Sequence, residues 1–482
     1  MSRQGKISRR GLLGAAAAAS AVGLAARPGP ARAARARAAL AAPEAQLPGR
    51  RQLVIRNAYV LTMDPALGDF ERGDVHLRNG TIVAVGPDLD APGAEVIDGR
   101  DLIALPGLVD THWHLWNSPY RGVTGEGPEL GYFPVALRLG RVATPDDAYR
   151  AVRLGLAEAL YSGITTVHNW SHNVRGPQWA DAELRAHREI GLRARYSYGT
   201  PQGIAPDQIM DVLDLARVRQ QYFSSPGDGL LTLGMASRGS SAFGALNTAN
   251  PEVLRREWAT ARDLGLPITM HASQAGYGET FAREGLLGPD VQFVHGLALT
   301  AADRDAMAAA GTHLSSSPMT ELRTLLGFPP ILDMLAAGVL TSLSIDTTAI
   351  SANADMFAAM RTIVDLAHVQ AKDAQALPPR RALELATIEG ARALGLDDKV
   401  GSLTPGKRAD LILVRTLDLN LAPVVDAPNA LVHAAQPHNV DTVIVDGRIL
   451  KRGGQLVALD ADQVSREAAA SLTALRARAG GP

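Results

Sequence analysis

Two histidines separated by one residue, His112 and His114, end the apolar run Leu-Pro-Gly-Leu-Val-Asp-Thr-His-Trp-His. Residues i and i+2 of a β-strand point to the same face, so both imidazoles project in one direction. Two neutral imidazoles on one face can provide half of a site for zinc or iron. Such pairs also occur on ordinary strands, so the pair alone does not establish a metal site.

Three further candidates, His271, His295 and Asp346, each stand at the C-terminal end of their own apolar segment. A parallel α/β barrel keeps its chemistry at the C-terminal ends of its strands. Each residue taken singly could instead cap the next helix or hydrogen-bond to a loop. Their shared position at strand ends predicts that they converge, with the histidine pair, on one site.

The middle of the chain alternates strand-like and helical patterns. This alternation predicts a (β/α)8 TIM barrel over residues 106–398 rather than an open doubly wound sheet. No glycine-rich phosphate loop or dinucleotide fingerprint follows any of the strands. The expected strand ends lie near His114, His168, Ser197, Ala236, His271, His295, Ser315 and Asp346.

Both ends of the chain beyond the first 45 residues show short strands broken by glycine, in residues 48–105 and 399–482. Asn79-Gly80 is a strong signal for a tight hairpin. Two small β segments that flank a long α/β body are expected to meet as one small β-sandwich. The alanine-rich stretch from Asp460 to Arg478 predicts a C-terminal helix.

The composition limits the chemistry. The chain has 482 residues, of which 46% are hydrophobic, and its formal net charge is −1. No overall field therefore steers it toward nucleic acid or an anionic membrane. It contains no cysteine, which excludes disulfides, thiolate metal sites and a cysteine nucleophile.

Residues 1–45 are typical of a targeting segment and linker rather than of the fold. Paired arginines, Arg9 and Arg10, precede a run of small apolar residues, as in a twin-arginine export signal. A Sec signal and a disordered basic tail are the alternatives. The apolar run is too short for stable membrane insertion. We expect export to the periplasm or the extracellular space.

Several motifs resemble the amidohydrolase superfamily, in its branch of cytosine deaminases, guanine deaminases and triazine chlorohydrolases. The resemblance covers nearly all of the chain after residue 45 and is specific for the superfamily but not for a substrate. It rests on Pro106-Gly-Leu-Val-Asp-Thr-His-Trp-His, Tyr120-Arg-Gly, Gly163-Ile-Thr-Thr-Val, Phe293-Val-His-Gly-Leu-Ala-Leu-Thr and Gly401-Ser-Leu-Thr-Pro-Gly-Lys-Arg-Ala-Asp-Leu.

The resemblance implies that His112, His114, His271 and Asp346 hold one divalent metal ion, zinc in preference to iron. The end of strand 4 lacks the lysine that binuclear members carbamylate. Three histidines and a carboxylate leave an open position where a bound ion makes hydroxide available near neutral pH. Asp346 would accept a proton, and His295 would hold the hydroxide or polarise the substrate.

One departure from the family pattern affects the chemistry. Deaminases and chlorohydrolases of this branch carry a proton-shuttling glutamate three residues after the strand 5 histidine, where this chain has Gln274. An amide can hydrogen-bond to a substrate but cannot act as a general acid. Glu321, after strand 7, could replace the missing acid or bind a cationic group. The alternative is a helix-start glutamate that the helix dipole favours.

Other residues near the strand ends could bind the substrate. Trp116, Tyr120 and Trp170 could form an aromatic wall for a planar ring. His168 has two interpretations: it lines the pocket, or it hydrogen-bonds to a loop. Arg121 could bind an acidic substrate group or pair within the barrel loop.

These observations predict an exported, metal-dependent hydrolase that acts on a C–N bond of a small cyclic or aromatic molecule. Gln274 keeps a second group of enzymes open, namely a lactonase, a decarboxylase or an isomerase of the same superfamily. A secreted binding protein with a vestigial site is a third class, which the retention of all four ligands disfavours. The expected partner is a small-molecule substrate, and a homo-oligomer is left open.

Overall fold

The protein is built on two large sheets, one parallel and one mixed, and the described residues also contain a two-stranded parallel pair of Gly239–Ser240 and Thr248–Ala249. The computed structural model describes residues 47–125, 130–225, 229–243, 247–325 and 327–481, so the predicted export signal lies outside the described residues. The described strands are, in chain order, β1 Leu53–Val60, β2 Phe70–Arg78, β3 Thr81–Gly86, β4 Glu95–Asp98, β5 Leu102–Pro106, β6 Leu108–Trp113, β7 Ile164–Ser171, β8 Arg193–Gly199, β9 Leu231–Ser237, β10 Gly239–Ser240, β11 Thr248–Ala249, β12 Ile268–His271, β13 Val291–Val294, β14 His313–Ser316, β15 Thr341–Leu343, β16 Leu411–Arg415, β17 Val440–Val445, β18 Arg448–Arg452 and β19 Gln455–Leu456.

The eight parallel strands β6 to β9 and β12 to β15 lie side by side in chain order. They are almost entirely buried, as expected when helices cover a parallel sheet. The sheet curls until its two outer strands approach each other, and a bridge between Trp113 and Asp346 joins them. The result is a nearly closed eight-stranded parallel barrel, which confirms the predicted α/β barrel architecture.

The second sheet joins the two ends of the described chain. Its nine strands follow the order β19-β18-β17-β16-β5-β1-β2-β3, with β4 paired to β1. The antiparallel pair β5 and β16 connects the two segments. Asn79 and Gly80 both have positive φ, 52° and 80°, as a tight hairpin between β2 and β3 requires. The predicted meeting of the two ends is confirmed, and their division into two facing layers stays a prediction.

Helices alternate with the barrel strands and continue after them. No described helix combines the length and the hydropathy needed to cross a membrane. The described helices are α1 Tyr132–Val142, α2 Pro145–Tyr161, α3 Pro177–Ile190, α4 Val212–Tyr222, α5 Pro251–Asp263, α6 Tyr277–Arg283, α7 Ala301–Ala310, α8 Pro318–Arg323, α9 Ile331–Ala336, α10 Thr348–Ser351, α11 Met356–Ala371, α12 Pro379–Leu385, α13 Ile388–Ala393, α14 Ala427–His433 and α15 Ala461–Arg478, with short 3-10 turns at Leu115–Tyr120, Ser241–Phe243 and Pro437–Asn439.

The predicted C-terminal helix is present as α15, and the Asp460 carboxylate caps its first turn. It packs along α2, where the Ser471 hydroxyl donates to the Asp147 carboxylate over 2.6 Å. Asp147 in turn forms a capping box with Thr144 at the start of α2. The end of the chain is therefore fixed to the first long helix of the barrel.

A buried ion pair ties the barrel to the second sheet. Arg193, at the start of β8, donates from Nε and Nη2 to the two oxygens of Asp410 over 2.8 and 3.0 Å. Asp410 precedes β16 and also accepts the backbone N–H of Asp446 over 2.8 Å. Both side chains are almost fully buried, so neither charge is compensated by water.

We predict that Asp410→Asn destabilises the protein because it removes the carboxylate that pairs with two nitrogens of the buried Arg193 guanidinium and leaves the Asp446 carboxylate, 4.0 Å away, as a weaker partner. The expected cost is about 3–5 kcal/mol, or roughly 3–5 °C in melting temperature. Glu284→Gln, which breaks the exposed pair with Arg255, is the control and should cost less than about 1 kcal/mol. Equal shifts in thermal melts of the two variants would contradict this account.

Candidate active site

Four side chains from three parts of the barrel converge at the C-terminal ends of its strands. His112 and His114 come from the end of β6, His271 ends β12, and Asp346 follows β15 by three residues. One nitrogen or oxygen atom from each of the four lies within 4.8 Å of the others. The structure thus brings together all four residues that were predicted to hold a metal ion.

The donor set fits a divalent ion. His112 Nε2 and His114 Nε2 each lie 3.1 Å from the same oxygen of Asp346. Neighbouring ligands around a tetrahedral zinc ion with bonds of about 2.0–2.1 Å lie roughly 3.3 Å apart. Imidazole nitrogen and carboxylate oxygen, without sulfur, suit zinc or iron.

The backbone of Asp346 holds this arrangement. Its N–H donates to His112 O over 2.8 Å, and its carbonyl accepts the His114 N–H over 2.6 Å. Below them, the buried Asp110 carboxylate accepts the N–H groups of His112 and Ile345, over 3.1 and 2.7 Å. Asp346 has a φ of 65°, a left-handed conformation that costs an aspartate of the order of 1 kcal/mol. These backbone bonds stabilise that conformation.

Burial sets the protonation of the ligands. It lowers the pKa of His112 to about 3 and holds the pKa of His271 well below its ordinary value. Burial alone would raise the pKa of Asp346, but hydrogen bonds from His112 and His114 keep it well below its usual range. At neutral pH His112 and His271 are neutral and Asp346 is ionised, which are the forms that bind metal.

His295 and Glu321 form a pair beside the ligands. His295 follows β13 and donates from Nδ1 to Glu321 Oε1 over 3.1 Å. The buried Glu321 carboxylate also accepts from the Ser317 N–H and the Ser316 hydroxyl, over 2.7 and 3.1 Å. The His295 ring stacks on His271 with centroids 5.3 Å apart. Glu321, in the first turn of α8, therefore contacts the site only indirectly, through its hydrogen bond to His295.

The pair changes the acid–base properties of His295. Burial would lower the pKa of this imidazole, but the hydrogen bond to Glu321 and the negative charge of Asp346 raise it above its ordinary value. His295 also has a φ of 74°, so a second residue at this site adopts the left-handed conformation. Backbone strain of this kind concentrates at functional sites.

A family comparison agrees with this geometry. The family model described as "Amidohydrolase family" matches residues 103–450, which is most of the chain. The chain belongs to the amidohydrolase family. Among the curated relatives of this amidohydrolase, a 5'-deoxyadenosine deaminase from Methanosarcina mazei is 30% identical over 88% of the chain and 99% of its own length. A 5-methylthioadenosine/S-adenosylhomocysteine deaminase from Desulforudis audaxviator is 31% identical over 86% and 97%.

Solved structures show the same fold. An adenosine deaminase from Xanthomonas campestris with bound zinc has a TM-score of 0.77 and 26% identity, over 89% of this chain and all of that one. An atrazine chlorohydrolase from Arthrobacter aurescens TC1 in complex with zinc has a TM-score of 0.77, over 87% of this chain and all of that one. Its 23% identity supports the shared fold alone.

Trp170, predicted to bind the substrate, packs against the ligands instead. It stacks on His271 with centroids 4.1 Å apart and meets His112 edge-on at 4.6 Å. Only 2% of its surface is exposed. Its contacts are those of a residue that fixes the orientation of the amidohydrolase ligands.

The predicted aromatic wall of Trp116 and Tyr120 is corrected. Both side chains are buried in an apolar cluster that includes Leu139 and Leu475. The Trp116 Nε1 donates to His172 Nδ1 over 3.1 Å, so its polar atom is also used internally. They pack a 3-10 turn against neighbouring helices because the chain bends away from the barrel after His114.

The predicted substrate contacts of His168 and Arg121 are also corrected. His168 does not end its strand, because β7 continues to Ser171 and keeps this ring inside the barrel. Its Nδ1 donates to Thr111 O over 2.8 Å, and its Nε2 accepts from the Ser197 hydroxyl over 2.7 Å. Arg121 forms a two-pronged ion pair with Glu158 on α2.

Gln274 remains a candidate for substrate contact. It lies in the loop after β12, three residues beyond the ligand His271, and it is half-buried. Within the described part of the chain, its side-chain amide forms no hydrogen bond with protein. The amide is thus free to bind a substrate group.

A hydrogen-bonded chain beside Asp346 was not predicted from the sequence. Thr347 donates to the Asn117 carbonyl oxygen over 2.7 Å, and the Asn117 amide donates to the Tyr132 hydroxyl over 2.9 Å. Burial, with the nearby charge of Asp346, raises the pKa of Tyr132, so the phenol stays protonated. Adjacency to Asp346 could have indicated Thr347, whereas Tyr132 reaches this position only through the fold.

His172 was also missed. Its ring lies 4.2 Å from the ring of His114, and its Nε2 hydrogen-bonds to Gln202 over 3.0 Å. Burial lowers its pKa well below the ordinary value, so it is neutral. Its location in the same strand-end motif as Trp170 was the available signal.

We predict that the purified protein binds one divalent ion per chain and that His271→Ala lowers its zinc affinity at least tenfold. The physical reason is the loss of one of four converging ligands. Metal analysis after dialysis against a graded chelator measures the affinity. His368→Gln, on α11 outside the ligand set, should retain wild-type affinity. Retention of zinc by His271→Ala would contradict the assignment.

Proposed function

We propose that this protein is a zinc-dependent deaminase that removes an exocyclic amino group from an adenosine-like ring. The convergence of His112, His114, His271 and Asp346 on one point carries this proposal. Two relatives named for deamination of adenosine derivatives, and a neighbour with bound zinc, support the substrate class and the metal. The reaction adds water to the ring carbon and releases ammonia.

A divalent ion held by the four ligands would lower the pKa of a water in its open position, so that hydroxide is available near neutral pH. Asp346 is ionised and can accept the proton of the attacking water on its carboxylate. His112 Nε2 and His114 Nε2 both contact Asp346 Oδ1 over 3.1 Å, which keeps the carboxylate directed at the site. Asp346 is therefore the proposed general base.

The return of a proton to the ring and the leaving amine requires an acid. Gln274 stands at the position where the family resemblance implies a glutamate, and its amide can orient the ring but cannot protonate it. We assign the proton donor to His295 Nε2, the nitrogen opposite the hydrogen bond to Glu321. Glu321 stabilises the imidazolium and is a positioning residue, in keeping with its burial.

The direct test is a substrate panel with the zinc-loaded protein. We expect ammonia release from adenosine, 5'-deoxyadenosine, 5'-methylthioadenosine or S-adenosylhomocysteine, and none from the metal-stripped protein. The panel includes lactones, lactams and carboxylated rings, because Gln274 is equally compatible with lactone hydrolysis, decarboxylation or isomerisation. Turnover of one of these without ammonia release from any nucleoside would replace the proposal with that alternative.

We predict that Glu321→Gln lowers kcat about 10²-fold and moves the alkaline limb of the pH–rate profile to lower pH. The carboxylate raises the pKa of His295, so its removal makes His295 lose its proton at a lower pH. The matched control is Glu183→Gln, which changes another fully buried carboxylate, on α3. An unchanged profile for Glu321→Gln would remove His295 from the role of acid.

We also propose that the chain is exported through the twin-arginine route, on the basis of Arg9 and Arg10 before a short apolar run. This route carries folded proteins, which suits an enzyme that must bind its metal before export. Arg9→Lys with Arg10→Lys should retain the full chain in the cytoplasm of a bacterial host. Arg3→Lys is the control. Unaltered export of the double variant in cell fractionation would indicate another route.

A further inference from the structure

A cavity lies at the opposite end of the barrel from the metal ligands. It has a volume of about 140 Å³ and is lined by residues at the starts of β8, β12, β13 and β14 and by α13. The hydrogen-bonded His168 and Ser197 separate it from the upper part of the barrel. The N-terminal face of such barrels ordinarily serves stability, so the polar lining of this cavity needs its own explanation.

The lining contains a guanidinium without a counter-charge. Arg195 projects from β8, and its Nη2 donates to the carbonyl of Leu394. Its Nε is buried and has no hydrogen-bond partner, and no described carboxylate forms an ion pair with it. Burial lowers the pKa of Arg195 to about 10, so it is still charged at neutral pH. The side chain is half-buried, so its Nε is shielded from water while its charge has no carboxylate partner among the described residues.

Two other buried groups in the cavity also lack partners. Thr269 Oγ1 lies 3.1 Å from Gln292 Oε1, and Gln292 Nε2 is buried without a hydrogen-bond partner. His313 Nδ1 is likewise buried and unpaired. Gln292 and His313 are 3% and 9% exposed. A guanidinium N–H and an amide NH₂ are donors that lack an acceptor.

The acidic residue in the lining does not supply that acceptor. Asp290 accepts from Arg262 Nε over 2.8 Å and from Arg262 Nη2 over 3.3 Å. A second guanidinium, Arg392, is exposed at the edge of the cavity and lies 3.8 Å from Asp397. The local charge around the cavity is therefore positive, and the cavity extends to a solvent-exposed residue.

We propose that this cavity is a binding site for a small oxyanion, such as sulfate, phosphate or a small carboxylate. Arg195 supplies the charge and a directed N–H, and the Gln292 amide supplies a second donor, in the manner of charge-assisted anion recognition. The volume far exceeds the roughly 30 Å³ of a single water. This site is independent of the deaminase proposal, and its ligand stabilises the base of the barrel.

The test compares thermal melts of the zinc-loaded full chain in sodium sulfate and in sodium chloride at equal ionic strength. For the wild type we expect a saturable rise of roughly 3 °C at a hundredfold excess of sulfate over its Kd. Sulfate also stabilises proteins generally, with a shallow rise that does not saturate. Arg195→Met should show only that general rise, because it removes the charge and keeps the metal site.

Gln292→Glu provides a second variant that does not depend on the first. It places a carboxylate inside the cavity, so the melting temperature in chloride should rise and the saturable sulfate response should disappear. Arg255→Met, on the exposed face of α5, is the control and should respond as the wild type does.

Melts in phosphate and in acetate distinguish a site for a tetrahedral oxyanion from a site for a small carboxylate. If the melting temperature rises saturably with sulfate and phosphate but not with acetate, the ligand is a tetrahedral oxyanion. If acetate gives an equal saturable rise, the ligand is a small carboxylate. The same shallow, non-saturating response in the wild type and in Arg195→Met would overturn the proposal and assign the cavity to water.

Discussion

The contact between the end of β6 and Asp346 is the constraint on which the site depends. Two backbone hydrogen bonds, of 2.6 and 2.8 Å, join the first and last strands of the barrel at this point. The same contact carries three of the four converging side chains. Closure of the barrel and assembly of the donor set are therefore one structural event. The buried carboxylate of Asp110 reinforces it from below, since it accepts an N–H from each side of the seam.

Burial gives the site its electrostatics. The His112 and His271 imidazoles are neutral because charging them inside the barrel would be costly, and Asp346 keeps its charge because two imidazoles face one of its oxygens. His295 lies in the same environment, yet Glu321 behind it shifts its pKa in the opposite direction. An ionised carboxylate and an imidazole with a raised pKa thus lie in one site. Opposed pKa shifts of this kind are typical of catalytic sites.

The amino-acid sequence was sufficient to predict the barrel and the four ligands. Strand alternation places His112 and His114 on one face, and the end of an apolar run marks His271 and Asp346. The sequence was less informative where the position of a side chain depends on the length of its strand. The β7 strand runs three residues past His168, which places that ring below the site rather than at its rim. A pattern of apolar residues fixes the existence of a strand better than its last residue.

Side-chain direction explains the other differences between the sequence-based predictions and the structure. Trp116 and Tyr120 follow the ligands closely in the chain, but a 3-10 turn directs them into an apolar cluster between helices. Glu321 begins a helix, as its alternative interpretation required, and also contacts His295, which lies 26 residues earlier. Tyr132 carries no local signal, because only the folded chain brings it to Asn117. Such contacts depend on tertiary packing, which no local pattern contains.

The most direct test of this account is a crystal structure of the zinc-loaded protein with anomalous diffraction data at the zinc edge. The account predicts one strong anomalous peak within bonding distance of His112, His114, His271 and Asp346, with Glu321 remaining on His295 outside the coordination shell. A peak elsewhere, a second ion in the barrel, or Glu321 as a ligand would contradict it.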